Sequence, residues 1–253
     1  MRMRMHRKTR RAGYYREAES VLRLHGIFHQ FGGGVRCNVN NGSITVNGHT
    51  YRYRCEVDGD TTLIFSGGNT RPCFVLHVYP DTHSALLADI VSVPKCAITT
   101  DAPIQAAGMA AFALAKERGV SHIALTDNSS KSLPGGKKFS VVDTSFLTTG
   151  KTWYESFLPI IPTKPLASAI ARWRQIVITN TWSNVFACLL QDRPDIQIPV
   201  DISDIDITTV GSAMVVLRRI KEARTDFFAD YRYELPKCSS IGSLHGSEWE
   251  AFL

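Results

Sequence analysis

QAAGMAAFALAKERGVSHIALTD, residues 105–127, is the stretch on which the fold turns. Pro103 to Arg118 reads as a turn entering a helix, with Ala, Met, Phe and Leu on its buried side. Gly119 stops that helix. HIALT is a short hydrophobic strand, and Asp127-Asn128 marks its end. The turn at Gln105–Ala110 either holds a phosphate or only joins two parts of a core.

Upstream, the apolar period is two rather than 3.6. VRCNV, SITV and TYRYRCEV are rich in β-formers, and Asn-Gly at 41–42 and 47–48 and Asp58-Gly59 are hairpin turn signals. Thr61–Phe65 and Cys73–Tyr79 are further strands, and Ser84–Val93 reads as another, although its front half also fits a helix. Before them, Tyr14–Gln30 has helical spacing and ends at Gly32-Gly33-Gly34. Downstream, SSKSLPGGKK reads as a polar loop, and Thr144–Phe157 as a helix around an internal Gly150. Helical candidates follow at 165–176, 181–191 and 210–231, the last with Val210, Met214, Leu217, Ile220 and Phe228 on one side. The order of helix, antiparallel strands, helix, strand and helix predicts an α+β fold. Its central sheet is expected to be mixed and mostly antiparallel, with flanking helices and a helical C-terminal region. A regular βαβαβ alternation is absent, and no G-x-G-x-x-G lies near residue 108. The expected divisions are a basic flexible arm at 1–16, an α+β core at 17–160 and a mainly helical region at 161–253.

With 253 residues, 44% of them hydrophobic and 21% charged, the chain can bury a real core. No apolar run is long enough for a membrane span, and the N-terminus lacks the apolar segment of a secretory signal. An intracellular protein, cytoplasmic or nuclear, is expected. Six cysteines are widely spread with no CxxC pair, so reduced, mostly buried thiols are expected. Residues 1–16 hold seven Lys or Arg and no acid, which leaves 22 basic against 23 acidic residues elsewhere. The net charge of +6 therefore belongs to the arm. Such an arm suits non-specific, salt-sensitive binding of nucleic acid or another polyanion.

Gly150-Lys151-Thr152 resembles the end of a P-loop, but Ser145 stands where that loop needs its first glycine. His25 and His29 are four apart on one expected helix, without H-E-x-x-H and without a third ligand, so no metal is expected. Gln105-Ala106-Ala107-Gly108-Met109-Ala110 offers more. Small residues at a helix start let main-chain N–H groups approach a pyrophosphate. The same residues also permit tight helix-on-sheet packing.

Q-A-A-G-M-A resembles the Q/R-x-x-G-x-G/A acyl-CoA pyrophosphate motif of the GNAT superfamily of N-acetyltransferases. The Ala-rich helix, Gly119 and HIALT resemble that superfamily's central helix and following strand, and the resemblance covers roughly residues 40–160. It implies a GNAT-like fold and acetyl-CoA as cofactor, with acyl transfer to a small-molecule or peptide amine. Main-chain N–H groups near Val91 and Val93 would polarise the thioester carbonyl. Gln105, Gly108, Met109 and Ala110 would hold the pyrophosphate. Tyr154 would return a proton to the thiolate, and Asp89 or Glu56 would take the amine proton. Ser156 replaces the Gly of the Gly-Phe pair that follows such a tyrosine. LTDNS and GKTWYE are similar to stretches in uncharacterised proteins of large DNA viruses. That similarity assigns no chemistry. It leaves open a second reading, a non-enzymatic structural or binding protein, virion-associated, that contacts polyanions through its arm. A third, a thiol-dependent enzyme, needs a histidine beside an accessible cysteine.

Overall fold

The computed structural model describes residues 41–46, 49–58, 60–65, 74–79, 82–90, 104–117, 119–156 and 158–253. The basic arm, the expected helix at Tyr14–Gln30 and the pair His25 and His29 lie outside them. The chain forms two compact units, one reaching Ala124 and including Leu253, the other covering Leu125–Phe252. The class is α+β.

In the first unit five strands follow one another: β1 Asn41–Val46, β2 His49–Asp58, β3 Asp60–Phe65, β4 Phe74–Tyr79 and β5 Ser84–Ile90. Each pairs antiparallel with the next, with Val46 opposite His49 and Asp58 opposite Asp60 at the first two reversals. Short reversals of this kind are what Asn47-Gly48 and Asp58-Gly59 encode. Leu76 and Val78 on β4 and Ala85 and Leu87 on β5 are fully or almost fully buried, while His77 and Leu86 between them are half-buried. That is the period of two expected of a sheet with one face on the core.

Helix α1, Ile104–Glu117, packs against β1–β4. Gly108, Ala111, Phe112 and Ala115 form its buried stripe at spacings of three and four. Three of these are small, which lets the helix axis approach the sheet. Gly119 ends α1 at φ 81°. The Gly119 N–H donates to Lys116 O and the Val120 N–H to Ala115 O, both at 3.0 Å. This is the paired closure of a Schellman motif, with the buried Val120 as its apolar partner. The unit boundary falls inside β6, His122–Asp127.

The second unit begins with a small hairpin, β7 Ser130–Ser132 and β8 Lys138–Ser140, turned by Pro134-Gly135-Gly136. SSKSLPGGKK is therefore an ordered hairpin rather than an open loop. Helix α2, Val141–Thr149, has Ser140 as its N-cap, accepting from the Asp143 N–H at 3.1 Å, and ends at Gly150 with φ 72°. The expected helix over 144–157 thus stops early, because Gly150 takes the left-handed conformation that glycine adopts without strain. Residues 142–148 are all buried. β9, Ile160–Pro162, pairs antiparallel with β10, Ser247–Phe252. Between them lie α3 Lys164–Thr179, α4 Trp182–Asp192, α5 Ser212–Ala223, α6 Asp226–Asp230 and α7 Glu234–Cys238. The single helix expected at 210–231 is two, since Arg224 leaves helical geometry at φ −147°. α5 packs against α2 through a stripe of Ala213, Val216, Leu217 and Ile220. Full burial of each larger member stabilises the unit by about 1.5–3 kcal/mol.

Cys188 on α4 and Cys238 at the end of α7 form a disulfide across Cα atoms 5.5 Å apart. This corrects the expectation of reduced thiols for these two. Spacing along the chain, 50 residues here, carries no sign of a bridge made by two packed helices. Among the described residues no helix is long and apolar enough to cross a membrane.

Candidate functional site

The residues expected to hold acetyl-CoA fall mostly in the first unit. Glu56 on β2 stands opposite Thr62, and Asp89 on β5 opposite Val75. Two strands separate β2 from β5, so the two backbones are about 14 Å apart. The two positions are not neighbours. The side chains of Glu56, Asp89, Gln105 and Ala110 lie outside the described ones, as do Val91 and Val93 altogether. Gly108 is buried and Met109 is 37% exposed.

α1 begins at Ile104, earlier than a turn at Gln105–Ala110 would require. Inside a helix each N–H donates to the carbonyl four residues back, so only the first turn has donors to spare. Those donors are Ile104, Gln105 and Ala106, while Gly108 sits one turn in, where it faces the core.

β5 contains an irregularity that its sequence does not announce. Leu76 is opposite Leu87 and Val75 is opposite Asp89, so Ala88 has no partner across the ladder. One extra residue on one strand is a β-bulge. It interrupts the ladder locally just before Asp89.

Tyr154 belongs to the second unit. It is 7% exposed and opens a 3-10 turn, Tyr154–Ser156, with its ring edge-on to Trp153 at 5.1 Å. The surrounding GKTWYE segment has a structural explanation. The Glu155 carboxylate accepts from the Thr152 N–H at 2.7 Å, and Thr152 Oγ1 accepts from the Glu155 N–H at 3.3 Å. This reciprocal pair is a capping box, and T-x-x-E was its visible signal. Arg174 closes the arrangement, donating to Glu155 Oε1 at 2.7 Å and to Gly150 O at 2.8 Å.

Sequence reading missed a second place, the segment Ser239–Gly246. Asn180 Nδ2 donates to Ser239 O at 2.9 Å. Gly242 lies under Trp173, where any Cβ would meet ring carbons at 2.7 Å. Asp143 accepts from the Leu244 N–H at 2.6 Å and from Ser243 Oγ at 3.0 Å. The Gly246 N–H donates to Asp127 O at 2.8 Å. Asp143 lies in the first turn of α2, where the helix dipole favours a negative charge.

The Asp127 side chain is wholly buried. One carboxylate oxygen accepts from the Ser129 N–H at 3.0 Å, and the other has no hydrogen-bond partner among the described residues. Burial pushes the Asp127 carboxyl up to about 6, with the Asp143 charge adding to the rise. Hydrogen bonding from Ser129 and the charge of His245 oppose it. A carboxyl that titrates there can move protons near neutral pH, but complete burial keeps this one from substrate. The cleft beside Asp143, lined by Ser140, Thr144, Leu147, Phe228 and Arg232, has a cavity volume of only about 10 Å³, room for about one water. Ligand pockets run to roughly 300–1,000 Å³. The buried acids of this unit therefore hold chain rather than substrate.

No protein-family model, curated protein or solved structure matches the chain.

Proposed function

We propose that the chain is an acyl-CoA-dependent N-acyltransferase whose first unit receives acetyl-CoA. The bulge at Ala88 carries this reading. A donor turned out of a ladder is preorganised to polarise a carbonyl, and preorganised donors stabilise the charge that builds there during acyl transfer. The bulge lies in the strand that leads, through residues 91–103, to the helix bearing Q-A-A-G-M-A. The antiparallel strands, the Ala-rich helix, the Gly119 stop and the strand β6 follow in the order that the resemblance implies.

The N–H groups of Ile104, Gln105 and Ala106 are the donors suited to the pyrophosphate, with the positive end of α1 behind them. Gly108 and Ala111 keep α1 close to the sheet. Acetyl-CoA supplies the thioester. Asp89, the residue after Ala88, is the carboxylate we assign to take the proton of the attacking amine, as the resemblance implies. The role given to Tyr154 rests on the resemblance, and its burial supports a packing role.

Calorimetric titration with acetyl-CoA tests this reading. Micromolar binding is expected for the wild type and is expected to be lost in Gln105→Glu. A carboxylate in the first turn of a helix suits the dipole, so the variant folds while repelling a pyrophosphate. A folded wild type that does not bind ends the proposal. The second reading, a binding protein acting through residues 1–16, then stands on their seven cationic side chains. It expects salt-sensitive retention of duplex DNA that disappears when residues 1–16 are deleted.

A further inference from the structure

Cys188, Asp192 and Cys238 place one ligand atom each within 4.8 Å of one another, the only such group of His, Cys, Asp and Glu side chains among the described residues. Cys188 and Asp192 are four apart on α4, so both project from one helix face. Cys238 comes from the end of α7, which packs on α4. We propose that this group is a redox-gated zinc site: a disulfide when oxidised, a two-thiolate, one-carboxylate zinc site when reduced.

The chemistry suits a borderline-soft divalent cation. Zinc takes thiolate sulfur at about 2.3 Å and carboxylate oxygen at about 2.0–2.2 Å, in tetrahedral geometry. Two sulfurs bound to one tetrahedral ion lie roughly 3.8 Å apart by that geometry. Breaking the bond therefore asks each sulfur to move by about an ångström, within reach of a side-chain rotation. Three protein ligands leave the fourth position to water.

A cation is already seated at the carboxylate. Lys237 Nζ donates to both Asp192 oxygens, at 3.0 and 2.8 Å. That lysine side chain is 66% exposed, so the pair is weak and easily displaced. Cys188 is half-buried, which gives a reductant and an ion access from solvent.

The step balances as thiol–disulfide exchange followed by ligand exchange. A dithiol attacks the Cys188–Cys238 bond through its thiolate, forms a mixed disulfide and leaves as its own cyclic disulfide. Two electrons and two protons pass to the protein sulfurs. Zinc then binds both sulfurs as thiolates and releases two protons to water. The Lys237 ammonium swings off Asp192 into solvent.

The test is a zinc titration of the full chain against a chromophoric chelator, with and without a phosphine reductant. Cobalt is used in parallel to read thiolate-to-metal absorption. Reduced wild type is expected to take up one equivalent more than oxidised protein, with the charge-transfer band of cobalt thiolate. Cys188→Ser is expected to lose that equivalent. Asp192→Asn retains the disulfide and is expected to bind zinc at least about tenfold more weakly. Lys237→Met removes the competing ammonium and is expected to bind severalfold more tightly. The proposal is overturned if reduced wild type and Cys188→Ser take up zinc alike, which would place the ion on the other cysteines. It is overturned equally if reduction adds no equivalent, or if Asp192→Asn binds as tightly as wild type.

Discussion

Strands of the first unit are joined by main-chain ladders between neighbours in sequence, whereas the second unit is tied by side chains that reach distant main chain. Asp143 holds Leu244, 101 residues away, and Asn180 holds Ser239, 59 residues away. Arg218 donates to Thr148 O across 70 residues. Among the described residues of the first unit, His83 and Ser121 make such ties over shorter separations, 36 and 38 residues, and at exposed positions. In the second, one lost side chain can leave a buried donor without a partner and free a whole segment. The difference teaches where substitutions should be severe.

The largest expected effect is on the apolar centre of the second unit. Trp182 is fully buried at the start of α4, and Trp182→Ala should cost about 4 kcal/mol in urea unfolding. If Leu76→Ala in the first unit costs as much, the contrast between the units is not one of core packing. Asp143→Ala should follow at about 3 kcal/mol, because the buried Leu244 N–H loses a charged acceptor. Asp143→Asn keeps an acceptor and should recover part of that loss. Equal losses in the two variants would mean that shape rather than hydrogen bonding holds the segment.

Asp127→Asn should act in the opposite direction. The folded carboxyl is raised from 3.8 to about 6, so the native state binds its proton more tightly than the unfolded chain does. Its contribution is most favourable below about pH 4 and declines as pH rises to about 6. Above that, a buried carboxylate costs on the order of 2–3 kcal/mol. The amide should therefore stabilise the unit at pH 7.5 by about 2 kcal/mol and flatten stability between pH 4 and 6. A variant less stable than wild type at pH 7.5 would show that the charge itself is used. The smallest effect belongs to the capping box, where Thr152→Ala should cost about 1 kcal/mol.

Legibility followed the same division. Asn47-Gly48, Asp58-Gly59 and Gly119 were readable because each encodes a local backbone shape. The periods of two in FVLHVY and of 3.6 in α1 were readable because neighbours in sequence share a face. Asp143 offered nothing of that kind. One aspartate in VVDTSF looks like any other until SSIGSLHGS arrives beside it. The Cys188–Cys238 bridge was hidden for the same reason, since only the fold brings α4 and α7 together. The bulge at Ala88 escaped too, because SALLADIVSV has neither a glycine nor a break in hydrophobicity to mark it. Gly150 was noticed but misplaced inside a helix, although T-x-x-E beginning two residues later was a sign of a new helical start.

The pairing of β9 with β10 has a kinetic side. Trp249 meets Pro162 and Ala251 meets Ile160, so this ladder closes a long stretch of chain that carries five helices. The hairpins of the first unit close over a few residues at little entropic cost. Contacts at long sequence separation slow folding. The second unit should therefore complete its sheet last. β9 is an edge strand even when paired, and until then both of its edges are open to other chains, so crowded refolding should aggregate through that strand first.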